Sequence, residues 1–379
     1  MGAKRVLPAI FAIVAALTGC HSDPGPFPDY HEYAYVTNGG SNTVSVIDLR
    51  GMRLARTIVV GKSPTGVAAN PHKNEIYVAN TDSNNISVID AEDNRVVATI
   101  GVHRAPYFID VSADGKRAYV ANSGSANLSV IDLDQRKLLR TIPVGNGSTL
   151  ARVTPDGKLV VVALRDEDSV AIVDTASLTL RAKVKACAQP GEIGIVPDSS
   201  KAFVACSGGS QVATIDLKEP RLLALLDVGK SPAYVAVKPD GGEVFVCNFD
   251  GSSVSEIITR SNEVNNTFLI GDHPVRAMVS PDNSFLYVTN YGSDSVAVYS
   301  IDNGHWLRSV QVGRNPEALA LSPNQFFLLA VDTTSRDLAV LVLTDHNGRP
   351  SPDSPMLETL VPLGDQPRAI AVKAFVSQR

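Results

Sequence analysis

The sequence predicts an all-β protein, a β-propeller of eight four-stranded blades. Two observations support this prediction. A Tyr-Val-x-Asn motif and its degenerate copies recur every 42 residues, ending at positions 38, 80, 122, 164, 206, 248, 290 and 332. Each repeat also contains four short runs of β-favouring residues separated by turn formers. A period near 40–45 residues with four strands per unit is typical of a propeller blade.

One repeat, residues 64–103, shows the pattern most clearly. Its four runs read PTGVAANP, EIYVAN, NISVID and RVVATIGV. In the following repeat, turn formers separate the first three runs: Ser112 to Lys116 (SADGK) and Asn122 to Ser125 (NSGS). Short strands joined by such turns form an antiparallel sheet, so we expect each repeat to be one blade.

The two ends of the repeat array indicate how the ring closes. Asn38 has no innermost strand before it, and residues 367–372 form an innermost strand with nothing after it. We therefore expect the C-terminal strand to complete the first blade, which hides two sheet edges. Eight blades follow from this closure; seven would require one repeat to be non-structural. The last blade carries a nine-residue insertion between Thr344 and Pro355.

The innermost strands share an aliphatic position. Period-2 alternation places it on one face of each sheet, where we expect it to pack against the next blade. Each buried side chain of this kind contributes about 1.5–3 kcal/mol. The position is occupied by Val67, Ile109, Ile193, Val235, Leu319 and Ile370.

Composition excludes several classes of protein. The 379 residues include 34 Lys and Arg against 39 Asp and Glu, a net charge of −5. No run of basic residues is longer than two, so the phosphate-neutralising stripe of nucleic-acid-binding proteins is missing and we expect no nucleic-acid partner. The 44% hydrophobic content argues against disorder.

The N-terminus has the pattern of an export signal. Lys4 and Arg5 precede the apolar residues 6–17, a run too short to span a bilayer. The following Leu17-Thr18-Gly19-Cys20 resembles the lipobox of bacterial lipoproteins. That resemblance implies a signal peptide at 1–19, lipidation of Cys20, a Pro-rich tether at 20–33 and a propeller at 34–379. An ordinary signal peptide is the alternative.

The lipobox resemblance also implies a location. The chain is expected to be exported and held at the membrane by its lipid anchor. His21 follows the cysteine, which resembles the sorting rule for the outer membrane. We expect the periplasmic face of that membrane, or the cell surface.

The repeat motifs also resemble a known family. The YVxN motif is followed by SxxVSVID at 83–90, VGxxP at 60–64 and 228–232, and SPDG-like turns at 154–157 and 238–241. These motifs resemble the YVTN-type β-propeller repeats of bacterial and archaeal surface proteins, over all of residues 34–379. The resemblance implies the fold and no particular reaction, since a fold alone does not define an activity.

Candidate binding residues lie where the repeat varies, at the start of the innermost strands. They would form a mixed-charge, partly aromatic rim around the channel that can hydrogen-bond a polar ligand or peptide. The rim residues are Tyr107, Glu192, Tyr234, Arg276, Glu317 and Arg368. Further along the strands, Asp110 and Arg152 are one repeat apart, and we expect an ion pair between their blades.

The histidines and cysteines suggest fewer possibilities. His103 and His273 precede innermost strands on opposite sides of the ring, so we do not expect them to bind one metal together, but either could be a single axial ligand to a planar cofactor. Cys187 and Cys206 fall at the same end of neighbouring strands, where a disulfide is possible in an exported protein. Spacing alone leaves them bridged or free. Cys247 is expected to be a buried free thiol.

Three functions fit these observations. The first is a non-enzymatic, membrane-anchored scaffold without cofactor or metal, whose channel rim binds an envelope protein, a polymer or a small polar ligand. The second is a periplasmic propeller oxidoreductase or assembly protein with a haem d1-like cofactor. The third is a lactonase-like hydrolase, for which Glu192 is the available acid. No GxSxG or HExxH motif occurs, which favours the first.

Overall fold

The protein is a closed eight-bladed β-propeller, which confirms the predicted fold class. The computed structural model describes residues 29–344 and 354–377. They form eight four-stranded antiparallel sheets. The predicted signal peptide, Cys20, most of the predicted tether and the nine-residue insertion lie outside the described residues.

The first four blades are built around the N-terminal repeats. Blade 1 contains β1 (Tyr30–Asn38), β2 (Thr43–Asp48), β3 (Arg53–Val59) and the last strand of the chain, β32 (Pro367–Val376). Blade 2 contains β4 (Pro64–Ala69), β5 (Glu75–Asn80), β6 (Asn85–Asp90) and β7 (Arg95–Gly101). Blade 3 contains β8 (Pro106–Val111), β9 (Arg117–Asn122), β10 (Asn127–Asp132) and β11 (Lys137–Pro143). Blade 4 contains β12 (Ser148–Val153), β13 (Leu159–Leu164), β14 (Ser169–Asp174) and β15 (Thr179–Lys185).

The other four blades follow the same order, innermost strand first. Blade 5 contains β16 (Pro190–Ile195), β17 (Lys201–Cys206), β18 (Gln211–Asp216) and β19 (Arg221–Asp227). Blade 6 contains β20 (Pro232–Val237), β21 (Glu243–Asn248), β22 (Ser253–Ile258) and β23 (Glu263–Leu269). Blade 7 contains β24 (Pro274–Val279), β25 (Phe285–Asn290), β26 (Ser295–Ser300) and β27 (His305–Gln311). Blade 8 contains β28 (Pro316–Leu321), β29 (Phe327–Asp332), β30 (Asp337–Val342) and β31 (Met356–Pro362).

Among the residues that the structure describes, helical structure is limited to two short turns. Thr81–Ser83 and Arg165–Glu167 each form one 3-10 turn between the second and third strands of a blade. In the part of the chain that is described, no helix has the length and apolar character needed to cross a membrane.

The ring closes through the pairing of the chain ends. β32 takes the innermost place in blade 1 and pairs antiparallel with β1, with Val36 opposite Ile370 and Tyr30 opposite Val376. The propeller therefore begins at Tyr30, and the predicted boundary at residue 34 was four residues too late. Residues 30–33 are strand because they pair with the extended end of β32, and Glu32 among them is buried.

The hydrophobic core is divided among the inter-blade interfaces. Eight clusters of buried side chains each combine residues of two adjacent blades; one of them joins Tyr35 and Val46 of blade 1 to Ile76 and Val78 of blade 2. Val67 packs in this same cluster, on the preceding blade. The expectation that the innermost aliphatic residues face the next blade was therefore wrong. Strand alternation then turns the intervening residues towards the following blade.

The motif asparagine ties together the strands of a blade at the end where the innermost strand begins, which we call the upper face. Asn80 Nδ2 donates to Ser87 Oγ (2.9 Å) and Asn85 Oδ1 (2.8 Å) on the third strand. A Cβ at Gly61 would come within 2.7 Å of the Asn80 side chain. The glycine of VGxxP is thus needed where the incoming loop passes over the asparagine.

Candidate functional site

A buried carboxylate held by two arginines lies in the channel. Glu192 of β16 accepts a hydrogen bond from Arg152 Nη2 at 2.8 Å and one from Arg276 Nη1 at 3.3 Å. Glu192 is 9% exposed, and the arginine side chains are 29% and 34% exposed. Arg152 belongs to blade 4, Glu192 to blade 5 and Arg276 to blade 7. The two ion pairs of Glu192 therefore link the innermost strands of three blades.

Aromatic rings support both guanidinium groups. Arg152 Cζ lies 4.5 Å from the centre of the Phe108 ring, and Arg276 Cζ lies 4.7 Å from the centre of the Tyr234 ring. Burial acts to lower the pKa of Arg152, but the carboxylates of Glu192 and Asp110 outweigh it and raise the pKa above its ordinary value. The ring of Phe108 holds the guanidinium group of Arg152 in place, and the neighbouring carboxylates keep it charged.

The predicted ion pair between Asp110 and Arg152 takes a different form. Asp110 Oδ2 accepts the backbone N–H of Val153 at 3.0 Å, while the guanidinium of Arg152 reaches on to Glu192. Both side chains point towards the following blade. The shorter Asp110 side chain reaches only the backbone of that blade, whereas the longer Arg152 side chain reaches a carboxylate. Burial raises the pKa of Asp110, and the charge of Arg152 opposes that rise.

The predicted rim residues separate into two groups. Glu192, Tyr234 and Arg276 come together, and Arg152 joins them. Tyr107 and Arg368 are exposed, and Glu317 is half-buried. Among the described residues, Arg368 has no ion-pair partner. Burial raises the pKa of Glu317, opposed by the charges of Arg276 and Arg368.

Strand alternation explains this separation. Tyr107, Glu317 and Arg368 directly follow the Pro position that starts an innermost strand, whereas the clustered residues lie two or four positions after it. Phe108 has that spacing and was missed, although the parity of its position would have found it.

A cavity of about 340 Å³ opens in the channel beside this cluster. Arg152, Glu192 and Tyr234 supply polar groups to its wall, and the remaining lining comes mainly from apolar residues of innermost strands in blades 4 to 7. Gly194 belongs to this wall; a Cβ there would lie 2.6 Å from Val235 Cγ1. The exposed surface of this wall is about as polar as it is apolar. A concave site on which a few polar side chains converge is typical of small-molecule binding.

The two predicted axial histidines do not fit a channel-bound macrocycle. His103 Nε2 is hydrogen-bonded to Thr141 Oγ1 (2.8 Å) on β11, the outermost strand of its blade. His273 Nδ1 is bonded to Asp272 (2.8 Å) and its ring lies edge-on to Phe249 in the loops of the upper face. Neither lines the cavity.

Glu192 is also poorly suited to a metal-dependent hydrolase. Each of its carboxylate oxygens already accepts from a guanidinium group, and a cation would be placed beside two arginine charges. Across residues 29–344 and 354–377, no group of three or more His, Cys, Asp or Glu side chains is arranged to hold a metal ion. The donor set does not match that of a divalent metal.

Cys187 and Cys206 form a disulfide in blade 5, with their Cα atoms 5.7 Å apart. The third cysteine of the propeller, Cys247, is a buried free thiol. Burial raises the pKa of the Cys247 thiol to about 12, and the charge of Arg276 opposes that rise. This thiol is inert at neutral pH.

Comparisons with known families give two partial matches. A family described as "YNCE-like beta-propeller" matches residues 29–156. A family described as "Lactonase, 7-bladed beta-propeller" matches residues 272–359. The structure has eight blades rather than the seven of the second description. A search of curated proteins found no match.

Solved structures share the fold at low sequence identity. Dihydro-heme d1 dehydrogenase NirN in complex with DHE is 15% identical with a TM-score of 0.72, covering 89% of this chain and 74% of that one. Hydrazine synthase of Kuenenia stuttgartiensis is 20% identical with a TM-score of 0.60, covering 74% of this chain and 95% of that one. A functionally unknown protein from Desulfotomaculum acetoxidans is 16% identical with a TM-score of 0.61, covering 90% and 98%. The matches and the fold together identify the chain as a β-propeller repeat protein.

Proposed function

We propose that this protein is a non-enzymatic binding protein of the bacterial cell envelope, with its ligand site in the channel of the propeller. The observation that carries the proposal is the cavity beside the Arg152–Glu192–Arg276 cluster. Charged and aromatic side chains from several blades converge there, while the remaining lining residues are apolar in type. Such a combination orients a ligand without supplying a nucleophile or a metal.

The channel location can be tested by filling the cavity. Met278 lines it, and Ala68 has the same register position in blade 2, outside its lining. The full chain is screened by thermal unfolding against anionic, cationic and neutral small molecules. A channel ligand should raise the melting temperature of the wild type and of Ala68→Trp, and should leave Met278→Trp unchanged. If no compound distinguishes Met278→Trp from Ala68→Trp, the channel is not the binding site.

The absence of a redox role is part of the proposal. Protein purified from its native envelope should show no visible absorption band and no stoichiometric metal. A chromophore in near-stoichiometric amount would contradict the scaffold function and favour a cofactor-bearing propeller.

The proposed location rests on residues before the propeller. We propose that Cys20 carries a lipid and tethers the propeller to a membrane, at the periplasmic face of the outer membrane or at the cell surface. The lipobox-like Leu17-Thr18-Gly19-Cys20 supports this. Cells expressing the full chain are labelled with radioactive palmitate; the wild type should incorporate label and Cys20→Ala should not. Equal labelling of both would exclude this anchor.

A further inference from the structure

The cavity in the channel is lined by three polar side chains and otherwise by apolar residues, and its exposed wall is about as polar as it is apolar. Arg152, Glu192 and Tyr234 are the polar lining side chains. Its volume of about 340 Å³ equals that of about 11 water molecules at about 30 Å³ each. A ligand that fits it therefore has about ten non-hydrogen atoms. The apolar lining includes Val153, Ile195, Val237, Met278 and Val279.

The arginine cluster at the cavity has an excess of hydrogen-bond donors. A guanidinium group has five N–H donors. In the described part of the chain, Arg152 and Arg276 each donate one hydrogen bond, in both cases to Glu192. Each oxygen of Glu192 accepts one of these bonds, so this carboxylate satisfies only a fraction of the donors that surround it. The site therefore favours a ligand rich in acceptors.

The arginines are held ready for such a ligand. Phe108 and Tyr234 stack on the two guanidinium groups, and stacking leaves the N–H edges of the guanidinium groups available. Because the rings fix the side chains before a ligand arrives, less conformational entropy is lost on binding. Planar guanidinium groups bind carboxylates through two parallel hydrogen bonds.

The charge balance favours a ligand with one negative charge over a ligand with two. Asp110, Arg152, Glu192 and Arg276 carry two positive and two negative charges, which cancel. A monoanion adds one charge to this neutral set, whereas a phosphate monoester adds close to two in a partly buried site. The cost of burying charge increases with the uncompensated charge, so the monoanion is favoured over the dianion. The monoanion is favoured over a neutral ligand because it accepts charge-assisted hydrogen bonds from the guanidinium of Arg152.

We propose that the channel binds a small monocarboxylate with an apolar body, its carboxylate on Arg152 and its apolar part against the valine and isoleucine side chains of the wall. This proposal rests on the channel being the binding site, as argued above. Glu192 is then an internal competitor for the same guanidinium donors, and its charge sets how tightly the ligand is held.

Titration calorimetry of the full chain with four octyl compounds tests the ligand class. Octanoate is the proposed ligand type, octanamide its neutral counterpart, octylammonium the cation and octyl phosphate the dianion. We expect one octanoate per chain, bound at least about tenfold more tightly than each of the other three. Arg152→Met should weaken octanoate binding about tenfold or more, and Glu192→Gln should strengthen it. Arg336→Met removes an exposed arginine that is paired with Asp365, and should change nothing.

The possible outcomes separate the two proposals. If octanamide, octylammonium or octyl phosphate binds as tightly as octanoate, and Met278→Trp prevents that binding, the channel site stands and the monocarboxylate is wrong. If Glu192→Gln weakens octanoate binding, the competitor role is wrong. If none of the four compounds binds, the monocarboxylate is wrong, and the screen of Met278→Trp against Ala68→Trp decides the channel site separately. If octanoate binds equally well to Met278→Trp and Ala68→Trp, both proposals fail. Should Arg152→Met fail to fold, Glu192→Gln and Met278→Trp still decide between these outcomes.

Discussion

Cys187 and Cys206 are joined in blade 5 at the two positions where other blades bring a glycine against the motif asparagine. In blades 2 and 6, a Cβ on Gly61 or Gly229 would lie 2.7 Å from the side chain of Asn80 or Asn248. The disulfide turns this close approach into a covalent link. Ala213 of blade 5 has the position that Ser87 has in blade 2, where the serine hydroxyl accepts a hydrogen bond from the Asn80 amide. Cys206 has no amide, so blade 5 does not need that acceptor.

The first prediction concerns this link. The disulfide spans 19 residues, and its loss in Cys206→Ser should lower the free energy of unfolding by about 3 kcal/mol. The triple variant Cys187→Gly/Cys206→Asn/Ala213→Ser restores the group found in blade 2, and should recover part of that loss. Urea unfolding under non-reducing conditions measures both. A triple variant no more stable than Cys206→Ser would show that the two arrangements are not interchangeable.

The second prediction concerns Asp332, which takes the place of the motif asparagine in blade 8. Its side chain is fully buried; burial and the neighbouring Asp337 raise the pKa of Asp332 to about 9. The folded chain therefore keeps a proton that the unfolded chain releases near pH 4. The contribution of Asp332 to stability is fully present below that pH and falls as pH rises towards 9, by up to about 1.4 kcal/mol per pH unit.

Asp332→Asn should remove this pH dependence. The new amide can donate to Asp337 as Asn80 donates to Asn85, at 2.8 Å. Urea unfolding at pH 5 and at pH 8 should show a smaller decrease in stability for Asp332→Asn than for the wild type. Asp365→Asn removes an exposed carboxylate and should keep the wild-type decrease. Equal decreases in wild type and Asp332→Asn would show that Asp332 is ionised in the folded protein.

The repeat explains why the fold was predictable and much of the site was not. Strand order and closure follow from turn signals repeated every 42 residues, so even a degenerate blade such as that of Asp332 was recognised. Alternation could also have separated Phe108 from Tyr107. The contact between Arg276 and Glu192 spans 84 residues and depends on the curvature of the ring and on which partner a long side chain reaches. No local pattern in the sequence encodes that choice.

The third prediction concerns the junction of blades 8 and 1. Five other blades have aspartate in the turn after the innermost strand, among them Asp114 and Asp282; blade 8 has Asn324. Asn324 Oδ1 keeps the turn by accepting from Ser322 Oγ (2.6 Å) and the Phe326 N–H (2.9 Å), while its Nδ2 donates to the buried Glu32 at 2.7 Å. The turn needs only the oxygen of this side chain, which aspartate also has, whereas the contact with Glu32 needs the amide donor of Asn324.

Asn324→Asp should destabilise the protein at pH 7 although aspartate is the usual residue in this turn. It places a second carboxylate against Glu32 and removes a donor, at a cost of about 1–3 kcal/mol. The loss should shrink as pH falls to about 4 and the pair gains a proton. Adding Glu32→Gln should restore stability at pH 7, since the new glutamine amide donates to the introduced carboxylate. If Asn324→Asp alone is as stable as the wild type at pH 7, Glu32 is not coupled to the turn.

The fourth prediction uses the thiols to test burial and lipidation together. The sequence has four cysteines; two are in the disulfide, Cys247 is fully buried, and Cys20 has no free thiol if it is lipidated. With the pKa of Cys247 raised to about 12, iodoacetamide at pH 8 should not modify the folded chain. After unfolding, iodoacetamide should add one label without reduction and three labels after reduction.

Intact mass spectrometry counts the labels, with Cys247→Ala as the control that gives none before reduction. Two labels in the unfolded, unreduced wild type would show that Cys20 is free, and labelling of Cys247 in the folded chain would show that its strand opens.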